Sequence, residues 1–223
     1  MSAHAPDTTG KRELNKARNR AVILDAARAV FVELGYDASS VRDIVARTDL
    51  APGTFYNYFP DKRSALVAVI SEASVEASRR IRHARAQASS LDELVYRGFR
   101  VYFDFIASDR TTFELMRRNM STLRTLGLAE SVLAVGLEEL RQDLQAAMAR
   151  GAIPQVSLQY LPVSIVAMAF EIAARMVSSD PPDVERATEF AAEFCIGGVE
   201  RLSGLGQRAR PAQRSKRRVR KAR

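Results

Sequence analysis

Residues 40–59 decide the fold, and they read SVRDIVARTDLAPGTFYNYF. The pattern predicts two short helices joined by a tight turn around Thr48 to Ala51. Neither helix is long enough to be stable alone, because forming the first helical turn costs more free energy than the few hydrogen bonds of a short helix recover. We therefore expect both to pack on a neighbouring helix through the apolar side chains of Ile44, Val45, Leu50, Phe55 and Phe59.

The second of these helices has a face that this packing leaves exposed. Its side chains are small, hydroxylic, amide-bearing or aromatic, and none is acidic: Pro52, Gly53, Thr54, Tyr56, Asn57 and Tyr58. Such a face can approach the major groove of DNA and bond to phosphates and base edges. Two short helices in this arrangement are typical of a helix-turn-helix, whose second helix enters the groove.

The chain on both sides of this motif also predicts helices. Upstream, the segment from Arg18 to Leu34 has apolar residues on one face, and Gly35 follows it as a typical C-cap residue. Downstream, a longer helix is predicted from about Lys62 to Arg85, and Ser90 then begins another. Further helices are expected at about 109–118, 121–149, 157–178 and 183–204. Because the alternation typical of strands is missing, we predict an all-α fold.

The length and amino-acid composition are those of an ordinary globular protein. The chain has 223 residues, of which 47% are hydrophobic and 27% charged, and this length fits one small module plus a larger domain. No apolar run reaches the roughly 18 residues of a membrane span. The polar N-terminus lacks a secretory signal, so we expect a cytoplasmic protein. The one cysteine, Cys195, lies in an apolar segment and is expected to be a small buried residue.

Charge is concentrated at the two ends of the chain. The net charge is +8, but residues 208–223 alone hold nine Lys or Arg and no acid, so the remainder is close to neutral. Residues 1–16 are expected to form a flexible basic arm, which either enters a minor groove or is a solvated leader. The basic tail at 206–223 is expected to be disordered. It would add non-specific DNA affinity, contact acidic partners or only solubilise the chain.

Residues 17–77 resemble the DNA-binding domain of the TetR family of transcriptional regulators. The resemblance rests on ILDAARAVFVELGYDASSVRDIVART at 23–48 followed by APGTFYNYFPDKRSAL at 51–66. The aromatic cluster followed by a lysine, FYNYFPDK, is its most specific part. The remainder of the chain resembles the family in length, helical content and position, so its architecture is expected by analogy.

The resemblance implies that nine residues bind DNA. They are Ser40, Arg42, Pro52, Gly53, Thr54, Tyr56, Asn57, Tyr58 and Lys62. Arg42 would read guanine or bind phosphate, unless it is only a solvated surface arginine. Asn57 would read adenine or bind phosphate, and Tyr56 would touch a thymine methyl group or phosphate. Thr54, Tyr58 and Lys62 are expected to contact phosphate.

Two of these residues would act partly through the backbone. Ser40 would offer its hydroxyl and its N–H to phosphate, and Gly53 would let the backbone approach the duplex closely. Ser40 and Asp43 also match a capping box. The chain departs from the family's pattern at two positions. Ala51 lacks a capping side chain, which costs about 1 kcal/mol, and Asp49 replaces the usual turn glycine, where it tolerates a left-handed backbone.

Residues 78–205 are expected to form the ligand-binding and dimerisation domain. An aromatic and methionine-rich set suits a flexible apolar cavity, although an ordinary core would contain the same residue types: Phe99, Tyr102, Phe103, Phe113, Met116 and Met120. The helical periodicity places few charged side chains on the inward faces of these helices. We therefore predict an apolar or amphipathic effector. Tyr102, Arg117 and Asn119 are candidate polar anchors for it.

The last two helices are long and unusually apolar, which predicts a dimer interface. Small residues such as Ala173 and Gly197 let helices approach closely, so two copies would form a four-helix bundle across a two-fold axis. The two recognition helices of a dimer, about 34–36 Å apart, would read successive major grooves of a palindromic operator.

Together these features predict a homodimeric, ligand-controlled DNA-binding regulator, most simply a repressor that its effector releases from the operator. An effector-dependent activator has the same DNA-binding half, so this alternative stays open, as does a non-specific architectural DNA-binding protein. An enzyme is not expected, because the sequence has no nucleophile elbow, phosphate loop or metal-ligand spacing. No cofactor, metal or membrane partner is predicted, since the basic tail lacks interspersed Trp, Phe or Leu.

Overall fold

The computed structural model describes residues 8–125 and 129–206. Within these ranges the chain forms nine α-helices, one 3₁₀ helix and no strand, which confirms the predicted all-α fold. In chain order they are α1 (Thr8–Leu34), α2 (Val41–Val45), the 3₁₀ helix (Pro52–Asn57), α3 (Lys62–Ala86), α4 (Leu91–Ser108), α5 (Arg110–Arg118), α6 (Met120–Thr125), α7 (Ala129–Ala149), α8 (Leu161–Met176) and α9 (Val184–Gly206).

Helix α1 begins at Thr8 and not at Arg18, so residues 8–16 of the expected flexible arm are helical. The segment from Lys11 onward contains good helix formers and no Gly or Pro. Because residues 11–18 are exposed, they show no apolar stripe, and periodicity alone places the start too late. Residues 1–7 of the arm lie outside the described residues, as do residues 207–223 of the basic tail.

One further predicted boundary needs correction, because the helix expected at 157–178 spans only Leu161–Met176. The helix expected at 121–149 is described as α6 and α7, and residues 126–128 between them lie outside the described residues. Pro162 stands in the first turn of α8, where its missing N–H costs no hydrogen bond. This helix is shorter than predicted because the apolar spacing continues into the connecting segment, where Val156 and Leu158 also pack against the core.

The first core joins α1, α2, the 3₁₀ helix and α3. Ile44, Phe55 and Phe59 are buried in it, as the sequence predicts. Leu115 of α5 and Leu123 of α6 complete the same core. The small N-terminal module therefore packs directly on helices of the larger part, and α3 runs unbroken through the predicted domain boundary at residue 77.

The second core lies among α4, α7, α8 and α9. Phe99 and Phe103 of α4 stack with their ring centres 5.9 Å apart, and α4 packs along both α3 and α9. Cys195 is buried here, as expected, and burial raises the pKa of its thiol to about 11. Among the described residues, no helix combines the length and apolarity that crossing a bilayer requires.

Candidate DNA-binding surface and ligand cavity

A capping box starts α2. The Ser40 hydroxyl accepts a hydrogen bond from the Asp43 N–H, and the Ser40 N–H donates to the Asp43 carboxylate at 2.8 Å. The Ser40 hydroxyl also donates to that carboxylate at 2.6 Å. These bonds lower the pKa of Asp43 and confirm the capping box. They also occupy the hydroxyl and the N–H that Ser40 was expected to offer to phosphate.

The turn after α2 is held by Thr48. Its hydroxyl donates to the Val45 carbonyl at 2.9 Å and accepts from the Leu50 N–H at 3.3 Å. The left-handed backbone expected at Asp49 is wrong, because positive φ occurs in the described residues only at glycines. A side-chain hydroxyl therefore closes this turn in place of a left-handed residue.

The segment Pro52–Asn57, which we call the recognition helix, is 3₁₀ and not α-helical. As expected, Ala51 supplies no side-chain cap, and the Thr54 N–H donates to the Ala51 carbonyl at 2.8 Å. Phe55 is fully buried and its ring centre lies 5.8 Å from that of Phe59. The tighter helix keeps Phe55 in the core while its neighbours point outward.

Six of the nine predicted DNA-binding residues form an exposed surface: Ser40, Arg42, Pro52, Gly53, Tyr56 and Asn57. The Tyr56 side chain is 60% exposed, and the Arg42 guanidinium makes no salt bridge or hydrogen bond within the described residues. A Cβ at Gly53 would have no neighbour within 4 Å, so folding does not require glycine there. Thr54 and Tyr58 are half-buried at the margin of this surface.

The Lys62 ammonium group has hydrogen-bond partners within the protein. Its Nζ donates to the carbonyls of Tyr36 at 2.5 Å and Ser39 at 2.6 Å. The same ammonium group lies 4.4 Å from the centre of the Tyr36 ring, a favourable cation–π position. Lys62 thereby holds the α1–α2 connection against the start of α3, directly behind the recognition helix.

A cavity of about 150 Å³ lies among α3, α4, α5, α7 and α8. Along α3 its wall is formed at every third or fourth residue from Ile70 to Arg85, a length of about 22 Å at 1.5 Å per residue. The cavity is therefore elongated. Most of its lining is apolar: Ile70, Ala73, Ala77, Ile81, Phe99, Phe105, Ile106, Phe113, Met116, Leu137, Ile165, Val166, Ala169 and Phe170.

Four of the six predicted ligand-binding residues line this cavity: Phe99, Tyr102, Phe113 and Met116. Phe103 does not, because it is fully buried in the second core. Met120 does not either, because it packs against the first core. Of the three candidate polar anchors, only Tyr102 lines the cavity, and burial raises the pKa of its hydroxyl.

Several polar groups on the cavity wall are absent from the sequence-based set. Thr112 is 4% exposed, and its hydroxyl has no hydrogen-bond partner within the described residues. Arg85 pairs with Asp143, and Arg82 pairs with Glu139. One signal was available for Arg85: it continues the apolar stripe of α3 at a four-residue spacing from Ile81, where a charged side chain turns inward.

Met116 connects the two functional regions. Its side chain lines the cavity and packs against the first core as well as the second. Leu115, the preceding residue of α5, is buried in the first core. Helix α5 therefore contacts both the cavity and the core that supports the recognition helix.

Helices α8 and α9 carry an exposed apolar surface. Phe190 and Phe194 are 61% and 65% exposed, and their rings stack with centres 6.2 Å apart. Val163 and Leu202 are also more than half exposed. Contiguous exposed apolar side chains of this size mark interaction surfaces in globular proteins. Within the described ranges, no group of three His, Cys, Asp or Glu is placed to hold a metal ion.

Comparison with known proteins places this geometry in a family. Residues 23–69 match the family model for bacterial regulatory proteins of the tetR family. The fatty acid metabolism regulator protein of Bacillus subtilis is 25% identical over 146 residues, which cover 59% of this chain and 75% of that protein. The HTH-type transcriptional activator FasR of Mycolicibacterium smegmatis is 22% identical over 191 residues, 85% of this chain and 86% of that protein. A regulator from Haemophilus influenzae aligns over only 55% of its own length.

The fold extends beyond the helix-turn-helix. The crystal structure of the transcriptional regulator FadR from Bacillus subtilis in complex with stearoyl-CoA superposes with a TM-score of 0.71. It is 22% identical in sequence, and the superposition covers 80% of this chain and 98% of that one. Residues 23–69 therefore form a DNA-binding domain of the TetR family, and the rest of the chain shares the all-helical fold of a solved transcriptional regulator.

Proposed function

We propose that this chain is a homodimeric transcriptional repressor whose affinity for its operator is lowered by an apolar or amphipathic ligand in the cavity along α3. The observation that carries this proposal is the continuity of α3. It begins at Lys62, five residues after the recognition helix ends at Asn57, and its inner face forms a wall of the cavity. One rigid element therefore joins the ligand cavity to the DNA-binding surface.

The DNA-contacting part of the proposal rests on the exposed surface around the recognition helix. Tyr56 and Asn57 project from the helix, and Arg42 projects from α2 beside it. Arginine and asparagine are suited to bidentate contacts with guanine and adenine in the major groove. Thr54 and Tyr58 add hydroxyl groups at the margin, where phosphates would lie. Ser40 caps α2 at this surface, and the half-buried Lys62 supports the surface through its hydrogen bonds to the α1–α2 connection.

Dimerisation is supported by the apolar surface of α8 and α9. The stacked rings of Phe190 and Phe194 would be removed from water in a two-fold arrangement with a second copy. A dimer also presents two recognition helices, and a single one contacts too few bases to select one site in a genome. We therefore assign the α8–α9 surface to the homodimer and propose a palindromic operator.

The ligand acts by changing how α3 and α5 pack. Occupancy of the cavity pushes on the inner face of α3 and on Met116, which also packs against the first core. A ligand shifts the equilibrium between two states only by its difference in affinity for them. We propose that the ligand fits a conformation in which the two recognition helices no longer match successive major grooves.

A long unbranched chain is the ligand class that the cavity favours. The cavity wall extends for about 22 Å along α3 and is mostly apolar up to Ile81. The structurally similar FadR of Bacillus subtilis was crystallised with stearoyl-CoA. Activation in place of repression is the second candidate, because the relative FasR is named as an activator. The DNA-binding and ligand-binding surfaces are the same in both cases.

Selection from a library of random duplexes tests the DNA-binding part. The selected duplex and a scrambled duplex are then compared by fluorescence anisotropy, and a sequence-specific regulator binds the former about 10³–10⁷ times more tightly. Asn57→Ala should reduce this ratio, whereas Gln155→Ala, an exposed amide in the α7–α8 connection, should not. A ratio near one would contradict the proposal and favour non-specific DNA binding.

A further inference from the structure

Helix α3 places an arginine with little solvent exposure on the wall of the cavity. The Arg85 side chain is 15% exposed, although arginine is rarely buried without strong partners. Within the described residues its one hydrogen bond goes from Nη1 to Oδ2 of Asp143, at a long 3.4 Å. A guanidinium group has five N–H donors, so most of those of Arg85 lack a protein acceptor.

Gly98 fixes the position of this guanidinium group. A Cβ at Gly98 would lie 2.7 Å from Nε and 3.2 Å from Nη2 of Arg85, so the guanidinium lies against the bare backbone of α4. Glycine in the middle of a helix is otherwise unfavourable. Its presence at this point indicates that the space is used to hold Arg85 in one orientation, with donors available to the cavity.

The charged groups facing Arg85 leave it incompletely neutralised. Asp143 of α7 is the carboxylate that attracts it, while burial lowers the pKa of Arg85 in spite of that pairing. Cys195 of α9 also faces Arg85, but burial keeps its thiol protonated. One turn away, Arg82 and Glu139 form a second pair across the same α3–α7 seam.

We propose that Arg85 binds the anionic head group of the ligand, which takes the guanidinium from Asp143 while the apolar chain lies along α3. This inference rests on the proposed ligand-controlled function and specifies the ligand class as an amphipath that ends in an oxyanion. Arginine binds carboxylate and phosphate through two parallel hydrogen bonds, which improve on its single long bond to Asp143. The head group is the carboxylate of a free fatty acid or a phosphate of an acyl-coenzyme A.

Binding of the head group has a structural consequence. Asp143 belongs to α7 and Arg85 to α3, so transfer of Arg85 to the ligand removes one of the two ion pairs that the described side chains form between these helices. Helix α3 then moves more freely relative to α7. The same event that recognises the ligand thereby releases the element that leads to the recognition helix.

Three probes with the same alkyl chain test the proposal by calorimetry: dodecanoate, dodecanol and lauroyl-coenzyme A. The wild-type protein should bind at least one of the anions about tenfold or more tightly than dodecanol, as expected for charge-assisted hydrogen bonds. Whether dodecanoate or lauroyl-coenzyme A is preferred identifies the source of the head group. Arg85→Met should abolish this preference and retain dodecanol binding. Arg79 is a matched exposed arginine of α3, so Arg79→Met should keep the preference for the anion.

Asp143→Asn gives an effect that a purely structural ion pair would not produce. Removing the competing carboxylate should tighten binding of the preferred anion, whereas loss of a structural pair would weaken binding of all three probes. Gly98→Ala displaces the guanidinium without removing its charge, and it should weaken anion binding selectively even if Arg85→Met fails to fold.

The outcomes separate this inference from the function on which it rests. Equal affinity for the anions and dodecanol, or a preference that survives in Arg85→Met, would overturn the anion site and leave an apolar ligand cavity intact. Binding of none of the three probes would overturn both the anion site and the proposed ligand class.

Discussion

Lys62→Met removes an ammonium group that ties the α1–α2 connection to the start of α3. Nζ of Lys62 donates to two carbonyls, of Tyr36 and Ser39, and lies over the Tyr36 ring. Methionine retains an apolar stem of similar length but donates no hydrogen bond. The substitution therefore tests the electrostatic contribution of Lys62 while it preserves most of the packing.

The expected loss follows from these contacts. A hydrogen bond to a charged group contributes about 1.5–3 kcal/mol, but Lys62 is only half-buried, so water replaces part of what is lost. We expect the free energy of unfolding to fall by about 2 kcal/mol. For a chain of this length, the corresponding decrease in Tm is about 4–8 °C.

Two assays distinguish this role from a phosphate contact. Urea unfolding followed by circular dichroism gives the change in stability, and anisotropy at several salt concentrations gives the slope of log K against log salt. A lysine that neutralises one phosphate contributes about 0.9 to that slope. We expect lower stability and an unchanged slope, with Arg79→Met of α3, outside the DNA-binding surface, as an exposed control. Unchanged stability with a slope reduced by about 0.9 for each protomer, or about 1.8 for the dimer, would refute the structural role and support the phosphate contact.

Other substitutions test the core, the DNA-binding surface, the dimer and the capping box. Phe55→Ala should destabilise the protein by about 3–5 kcal/mol in urea unfolding, because Phe55 is fully buried. Tyr56→Ala should change stability by less than about 0.5 kcal/mol but weaken binding of the selected duplex. Phe194→Asp should convert the dimer to a monomer in analytical ultracentrifugation, and a dimer that persists would exclude the α8–α9 interface. The pKa of Asp43 is held below 3.8 by Ser40, so the stability it contributes is present above that value and is lost as the pH falls through the lower folded pKa. Ser40→Ala should therefore reduce the loss of stability on acidification below about pH 4.

The helix-turn-helix was predictable because its signals are local. The Ser40–Asp43 capping box spans four residues, and the burial of Phe55 and Phe59 follows from apolar spacing within one segment. Exposure of Tyr56 and Asn57 follows from the same spacing. Residues 11–18 carried no such signal, because a helix without a buried face has no apolar stripe to reveal it.

The parts that could not be predicted depend on contacts between distant segments. Lys62 finds its carbonyl partners more than 20 residues earlier in the chain, and Arg85 meets Asp143 58 residues later. The clearance that Gly98 gives Arg85 exists only when α3 and α4 pack together. A sequence pattern shows that a side chain faces inward, but tertiary packing decides which group it meets there.

Ligand-dependent DNA binding is the central claim, and one titration tests it most directly. The affinity for the selected duplex is measured by anisotropy with and without saturating lauroyl-coenzyme A, for the wild type and for Ala73→Leu. Ala73 lines the cavity, so the larger leucine side chain fills part of the space that the ligand would occupy. We expect the ligand to weaken duplex binding at least about fivefold in the wild type and to have little effect in Ala73→Leu. Because coupling is reciprocal, the duplex should lower the affinity for the ligand by the same factor. If calorimetry shows that the ligand binds while the duplex affinity stays unchanged, the cavity does not control DNA binding and the account is wrong.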